Sequence, residues 1–251
     1  MQRLQVMYIG GLLISGLFFN TAACTVNNPA TELENTANPK SEEPSMMKQI
    51  SIQNKETFPI NEYTKEHNLG EYSQAIFAGG CFWCTEAAFE RIEGVADVLS
   101  GYSGGHVSYP TYGQVGQGST GHAEAIYIYY DEKVISYQQL LDIFFVAHDP
   151  TTLNRQGPDR GTAYRSAIYY KTDSEKAAIN KTIDKLNASG KLSDKIVTQV
   201  EAYGEFWVAE GYHQNYYEIH PNHGYVSRVS RPKVMKVLKT FPALIKQGYK
   251  L

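Results

Sequence analysis

The chain has 251 residues, a net charge of −3 and 3 cysteines. That length holds one ample domain plus tails, and the charge offers no basic face from which to argue nucleic-acid binding. One possible bridge cannot replace a core, which excludes a disulfide-stapled fold. Tyrosines number 19 against 10 phenylalanines; their polar tips suit the wall of a wet pocket or, for most of them, strands of a half-buried sheet.

Residues 1–23 read as a signal segment. Arg3 supplies positive charge, residues 6–19 are largely apolar, and Thr21, Ala22 and Ala23 precede Cys24. The apolar run is short for a membrane span and right for export. Cys24 after small residues resembles the cleavage site of bacterial lipoproteins, where that cysteine is lipidated and becomes the first mature residue. Thr21 departs from the Leu that the pattern prefers. Plain cleavage after Ala23 and an uncleaved anchor are the competing readings. Each takes the protein to the bacterial cell envelope, facing the periplasm or the exterior, with a lipid on Cys24 as the expected membrane anchor. Residues 24–47, rich in Asn, Thr, Glu and Pro, read as a flexible tether. Residues 48–74 are an approach segment with few periodic signals.

The globular part is expected from about Tyr72. Residues 75–78 form a short buried strand, Gly79 and Gly80 a turn, and residues 85–92 an amphipathic helix closed by Gly94. Residues 95–102 follow as a strand, then a glycine-rich loop over 103–121, long enough to be functional or disordered. Residues 123–130 are β-rich, with Glu124 at their start. Ser136 with Gln139 forms a capping box for a helix over 137–148, and Thr172 with Glu175 one for a helix ending near Gly190. Between these lie an irregular loop over 149–162 and a strand over 166–170. A strand over 196–202, a helix over 209–219 and a surface helix over 232–245, broken by Pro242, complete the chain. Strands and helices alternate only in part, so the expected class is α+β. The expected architecture is a two-layer α/β sandwich with a ferredoxin-like mixed sheet and long functional loops.

Chemistry is expected at Cys81-Phe82-Trp83-Cys84. A strand, a glycine turn and a helix start place Cys81 at or just before the first helical turn. Unpaired N–H groups and the helix dipole there favour a thiolate and lower the thiol pKa. By itself the CxxC is a redox pair, half a zinc site or two structural cysteines. Zinc needs two further ligands, and His213, His220 and His223 lie far away at irregular spacing.

Gly80-Cys81-Phe82-Trp83 with Glu86 resembles the signature of the A-type peptide methionine sulfoxide reductases. So do Gly101-Tyr102-Ser103-Gly104-Gly105, Pro110-Thr111-Tyr112, Thr120-Gly121-His122-Ala123-Glu124, His148-Asp149-Pro150, Arg155-Gln156-Gly157 through Asp159, and Gly161-Thr162 through Tyr164-Arg165-Ser166. The resemblance covers about residues 75–225. It implies a catalytic domain over 75–230, a C-terminal helical extension over 231–251, and reduction of methionine S-sulfoxide, free and in proteins. Cys81 is the implied nucleophile and Glu124 the implied acid, kept protonated by apolar surroundings; without the family, Glu124 reads as a solvated carboxylate. Tyr112 and Tyr164 are the implied donors to the sulfoxide oxygen, and Asp159 a polar support. Phe82 and Trp83 would wall a pocket for the substrate methyl group, Trp83 serving equally as a core anchor.

The implied cycle leaves Cys81 as a sulfenic acid, which a second thiol converts to a disulfide that an external, thioredoxin-like reductant opens. Many members place that second cysteine near the carboxyl terminus after a Gly-Tyr pair. Here Gly224-Tyr225-Val226 has none, and Cys84 stands where many members have Gly. Cys84, one helical turn past Cys81, is therefore the expected resolving thiol; an outside thiol acting directly on Cys81 is the alternative. No bound cofactor and a monomer are expected. A thioredoxin-like general disulfide oxidoreductase and an inactive tethered binding module are the other readings, although neither calls for Glu124 with the tyrosine cluster.

Overall fold

The computed structural model describes residues 55–251. The signal segment, the tether with Cys24 and the start of the approach segment lie outside the described residues. The described chain begins with strand β1 (Phe58–Pro59) and helix α1 (Ile60–Glu66). Strand β2 (Ser73–Gly79) feeds helix α2 (Phe82–Glu90), and β3 (Val95–Ser103) leads through the short helix α3 (Tyr112–Gly116) to β4 (Ala123–Tyr130). Helix α4 (Tyr137–Ala147) precedes a small hairpin, β5 (Arg155–Gln156) and β6 (Asp159–Arg160). Then come β7 (Ser166–Tyr170), helix α5 (Asp173–Ala188), β8 (Gln199–Ala202), β9 (Phe206–Val208), the short helix α6 (Tyr216–Ile219) and α7 (Arg231–Thr240).

Among the described residues, seven strands form one mixed sheet in the order β1-β9-β3-β4-β2-β7-β8. Within it β7 and β8 pair in parallel, and α5 provides the crossover that such a pair needs. Both β2 and β3 run antiparallel to β4, and β7 runs antiparallel to β2. The ends of β2 and β3 therefore meet the starts of β4 and β7 at one end of the sheet. That is where the functional residues gather.

Period-two alternation divides the core. Ala75 and Phe77 face a layer of helices, packing with Phe89 of α2, Phe144 of α4 and Val237 of α7, while Ile76 and Ala78 face the other side. That second side is not left half open, as the tyrosine content suggests. Tyr63 of α1 covers it together with Tyr127, Tyr129 and Tyr169, all buried. Each hydroxyl finds a partner: Asp97 Oδ2 at 2.8 Å, Gln74 Oε1 at 2.7 Å, Thr64 Oγ1 at 2.6 Å and the Ser103 carbonyl at 3.1 Å for Tyr63, Tyr127, Tyr129 and Tyr169 respectively. Satisfied hydroxyls let β4 be buried on both faces.

The capping box of Ser136 and Gln139 opens α4 as expected. A second box, Thr111 with Gln114, opens α3 inside the stretch that reads as loop. Thr172 Oγ1 accepts the Glu175 N–H at 3.2 Å, but the Glu175 carboxylate accepts from Lys171 N–H, so that box closes on one side only. The helix expected over 209–219 breaks up: β9 ends at Val208, a 3₁₀ turn spans Gly211–His213, and Asn215 turns left-handed at φ 55° before α6.

Packing also crosses both expected domain edges. Phe58, Ile60 and Tyr63 of the approach segment are core residues. In the C-terminal extension, Val234, Val237, Leu238 and Ile245 are buried in the helical layer, with α7 against α2 and α4. The last helix is core, not appendage.

Gly101 permits a close crossing of β3 and β9. A methyl group there would fall 2.3 Å from the Phe206 ring and 2.3 Å from the Trp207 carbonyl oxygen. Gly101→Ala is expected to destabilise the fold by about 1–3 kcal/mol, read as a lower urea midpoint at unchanged slope.

Candidate active site

After Gly79, Gly80 turns at φ 86°, a conformation that side chains resist, and a methyl group there would sit 2.4 Å from Gln156 Cγ. The turn delivers Cys81 as the N-cap residue of α2, where the sequence pattern puts it. Cys84 follows in the first turn, its N–H donating to the Cys81 carbonyl at 3.1 Å. Both cysteines are free thiols and enclosed, 5% and 2% exposed.

The two buried thiols act on one another. Burial pushes the Cys81 thiol up, and Cys84 and the nearby Glu124 carboxyl add to the effect. Cys84 is drawn down by Cys81 against its own burial, with Lys233 and Ser230 assisting. Burial thus opposes the helix terminus that favours a thiolate on Cys81.

Glu124 opens β4 opposite Tyr102 and is 2% exposed. It accepts the Phe82 N–H at 3.0 Å, which seats the carboxyl at the start of α2 beside Cys81. Burial raises its pKa from 4.5 to about 8, and the charges of Asp159 and Cys84 add to the effect. It is a neutral acid at pH 7, not a solvated carboxylate. Tyr112 and Tyr164 lie close to Glu124 and Cys81; burial pushes Tyr112 up to about 12 and Tyr164 higher still, so both keep their protons.

Glu210 holds this cluster in place from a stretch that reads as helix. Its carboxylate accepts from Tyr102 O–H at 2.8 Å and from the Tyr112 N–H at 2.8 Å, fixing where α3 begins. His213, held neutral by burial with its pKa down to about 4, accepts from Trp83 Nε1–H at 3.2 Å through Nδ1. Trp83 stacks on Tyr216 with centroids 3.8 Å apart and remains half-buried. Phe82 is 1% exposed and packs against Tyr112 and His213. Glu86 accepts the Asn215 N–H through both carboxylate oxygens, each at 3.2 Å, tying α2 to the left-handed turn.

Asp159 of β6 accepts a hydrogen bond from Tyr225 O–H, and that tyrosine lies close to Cys81. In the sequence the Gly-Tyr pair marks only a missing cysteine. No local pattern announces Tyr225, Glu210 or His213; the fold brings them from far along the chain.

A family model described as peptide methionine sulfoxide reductase matches residues 73–243. The chain belongs to that family. It is 51% identical over 173 residues to a peptide methionine sulfoxide reductase MsrA of Acinetobacter baumannii (strain SDF), covering 69% of this chain and 98% of that protein. It is 46% identical over 190 residues to one from Polynucleobacter asymbioticus, covering 76% and 100%. Among solved structures, Mxr1 from Saccharomyces cerevisiae in reduced form is similar at 36% identity and a TM-score of 0.55, over 60% of this chain and 86% of that one. Methionine sulfoxide reductase A of Corynebacterium diphtheriae gives 31% and 0.55, over 61% and 78%. The protein is thus a methionine sulfoxide reductase of the A type. The family match extends through α7 to residue 243, past the end at about 225 read from sequence.

Proposed function

We propose that this reductase acts on the S epimer of methionine sulfoxide, free and in oxidised proteins, with Cys81 as nucleophile and Glu124 as acid. The observation that carries this reading is the buried Glu124 carboxyl, fixed by the Phe82 N–H at the helix end that bears Cys81, where burial raises its pKa. Substrate approach lets Cys81 pass its proton to the neighbouring Cys84, and the Cys81 sulfur attacks the sulfoxide sulfur. Glu124 protonates the departing oxygen while Tyr112 and Tyr164 donate to it, and Asp159 keeps Tyr225 oriented toward the same sulfur. The protonated oxygen then passes from the substrate sulfur to Cys81 as the new bond between the two sulfurs breaks. Cys81 is left as a sulfenic acid; the substrate sulfur keeps the electron pair and leaves as methionine. Trp83, half-buried, flanks the substrate's methyl group.

Cys84 then resolves the intermediate. Its sulfur bonds to Cys81, the S–O bond breaks, and the hydroxyl leaves as water with the proton that Cys84 had held. A thioredoxin-like reductant opens the disulfide, and no bound cofactor is required. The enzyme acts as a monomer, exported to the cell envelope and anchored through lipid on Cys24. Outside the cytoplasm the reductant must be an envelope-resident or membrane-linked thiol donor. Intact mass of the native protein tests the lipid.

One equivalent of a blocked methionine S-sulfoxide, given without reductant, is expected to yield one methionine and consume two thiols in the wild type. Cys84→Ser is expected to yield the methionine, retain a trappable sulfenic acid and stall with a thioredoxin-type donor. Normal turnover by that variant would remove Cys84 from the cycle.

A further inference from the structure

The last helix reaches the sulfur pair. Ser230, immediately before α7, is fully buried, and its Oγ lies 3.2 Å from Cys84 Sγ. The thiol donates in that bond when neutral; once it ionises, the hydroxyl hydrogen turns to donate to sulfur. Lys233 stands three residues on, one turn along the same face. Its Nζ is buried and has no hydrogen-bonding partner among the described residues. An ammonium left without a partner in a shielded place is costly unless an opposite charge forms nearby.

Resting on the reading of Cys84 as resolving thiol, we propose that Ser230 and Lys233 are positioning residues for the second step, stabilising the Cys84 sulfur as the anion that displaces hydroxide from Cys81. The attack forms the Cys84–Cys81 S–S bond, breaks the Cys81 S–O bond, oxidises Cys84 and reduces the sulfenic sulfur, with water as the product. The groups facing Cys84 from other elements are Cys81 at the turn, Glu124 of β4, Asp159 of β6 and Tyr225. Asp159 opposes the anion, as does the Glu124 carboxyl whenever it ionises, so the cation on α7 is the group that offsets them. His148, which also senses Lys233, is kept neutral by burial with its pKa down to about 4 and adds no competing charge.

The test uses the full chain. In a background with Cys24 and Cys81 both replaced by serine, thiolate absorbance at 240 nm titrates Cys84 alone. Lys233→Met is expected to raise that midpoint by about one pH unit or more, and Lys233→Arg to restore most of it. In the otherwise native chain, Lys233→Met is expected to slow disulfide formation after one equivalent of sulfoxide by about tenfold at pH 7, with methionine still formed in one equivalent. Ser230→Ala is the second probe should Lys233→Met fold poorly, and it too is expected to raise the midpoint. Unmoved midpoints in the folded variants would overturn the assignment. Should the wild type form no Cys81–Cys84 bond at all, the resolving role of Cys84 falls first, which is a separate result.

Discussion

Exchanging Glu124 for Gln is expected to lower turnover by about 10²–10⁴-fold, the usual contribution of a positioned acid. Gln keeps an oxygen to accept the Phe82 N–H but cannot release a proton, so the site stays assembled while the oxygen leaves unprotonated. The wild-type rate is expected to fall as pH rises through about 8, where the carboxyl ionises, and the variant's residual rate to lack that fall. Stability falls with rising pH as well. The folded carboxyl binds its proton more tightly than the unfolded one, so its contribution is intact below about pH 4.5 and is lost as pH climbs toward 8. Each tenfold difference in proton affinity between the two states corresponds to about 1.4 kcal/mol. Glu124→Gln is therefore expected to match the wild type in urea near pH 4 and to exceed it by roughly a few kcal/mol near pH 8. Equal midpoints at both pH values would show that the carboxyl is solvated and has no reason to be neutral.

Removing residues 231–251 is expected to abolish cooperative unfolding. Val234, Val237, Leu238 and Ile245 leave the core together, and each contributes about 1.5–3 kcal/mol of burial. Their loss is comparable to the roughly 5–15 kcal/mol that holds an ordinary domain folded. The measurement is a urea titration followed by circular dichroism, against the full chain. A truncated chain that kept a sharp transition would make this segment the appendage that its sequence suggests.

Parts of the site that are local in the chain were legible from residues alone. The glycine turn, the helix start at Cys81 and the strand opening at Glu124 follow from short patterns of apolar, glycine and capping residues, and the structure places them together. The fate of the charge on the sulfur pair was not legible. A helix terminus can be read from sequence, but enclosure cannot, and enclosure pushes the Cys81 thiol up against the pull of that terminus. Glu210 and His213 were hidden for a related reason. Apolar spacing over 209–219 reads as helix, whereas the strand pairing of Phe206–Val208 and the left-handed Asn215 end that pattern through tertiary contacts. The last helix looks superficial in sequence because its polar and charged residues outnumber its apolar ones, and a narrow apolar stripe is sufficient when it fits a groove between two other helices.

Enclosure of the sulfur pair also sets what can reach it. The ring of half-buried side chains about the two atoms (Trp83, Tyr112, Tyr164 and Tyr225) leaves little room for a bulky reagent. A thiol this sheltered is slow to form adventitious mixed disulfides or to be over-oxidised. The same shelter demands a slender guest: a lone oxidised side chain on an extended strand of polypeptide can enter, and one lying flat against a rigid globule cannot. Damage on unfolding chains is therefore expected to be repaired ahead of damage on intact ones, measured as the rate on one oxidised protein before and after it is unfolded in urea.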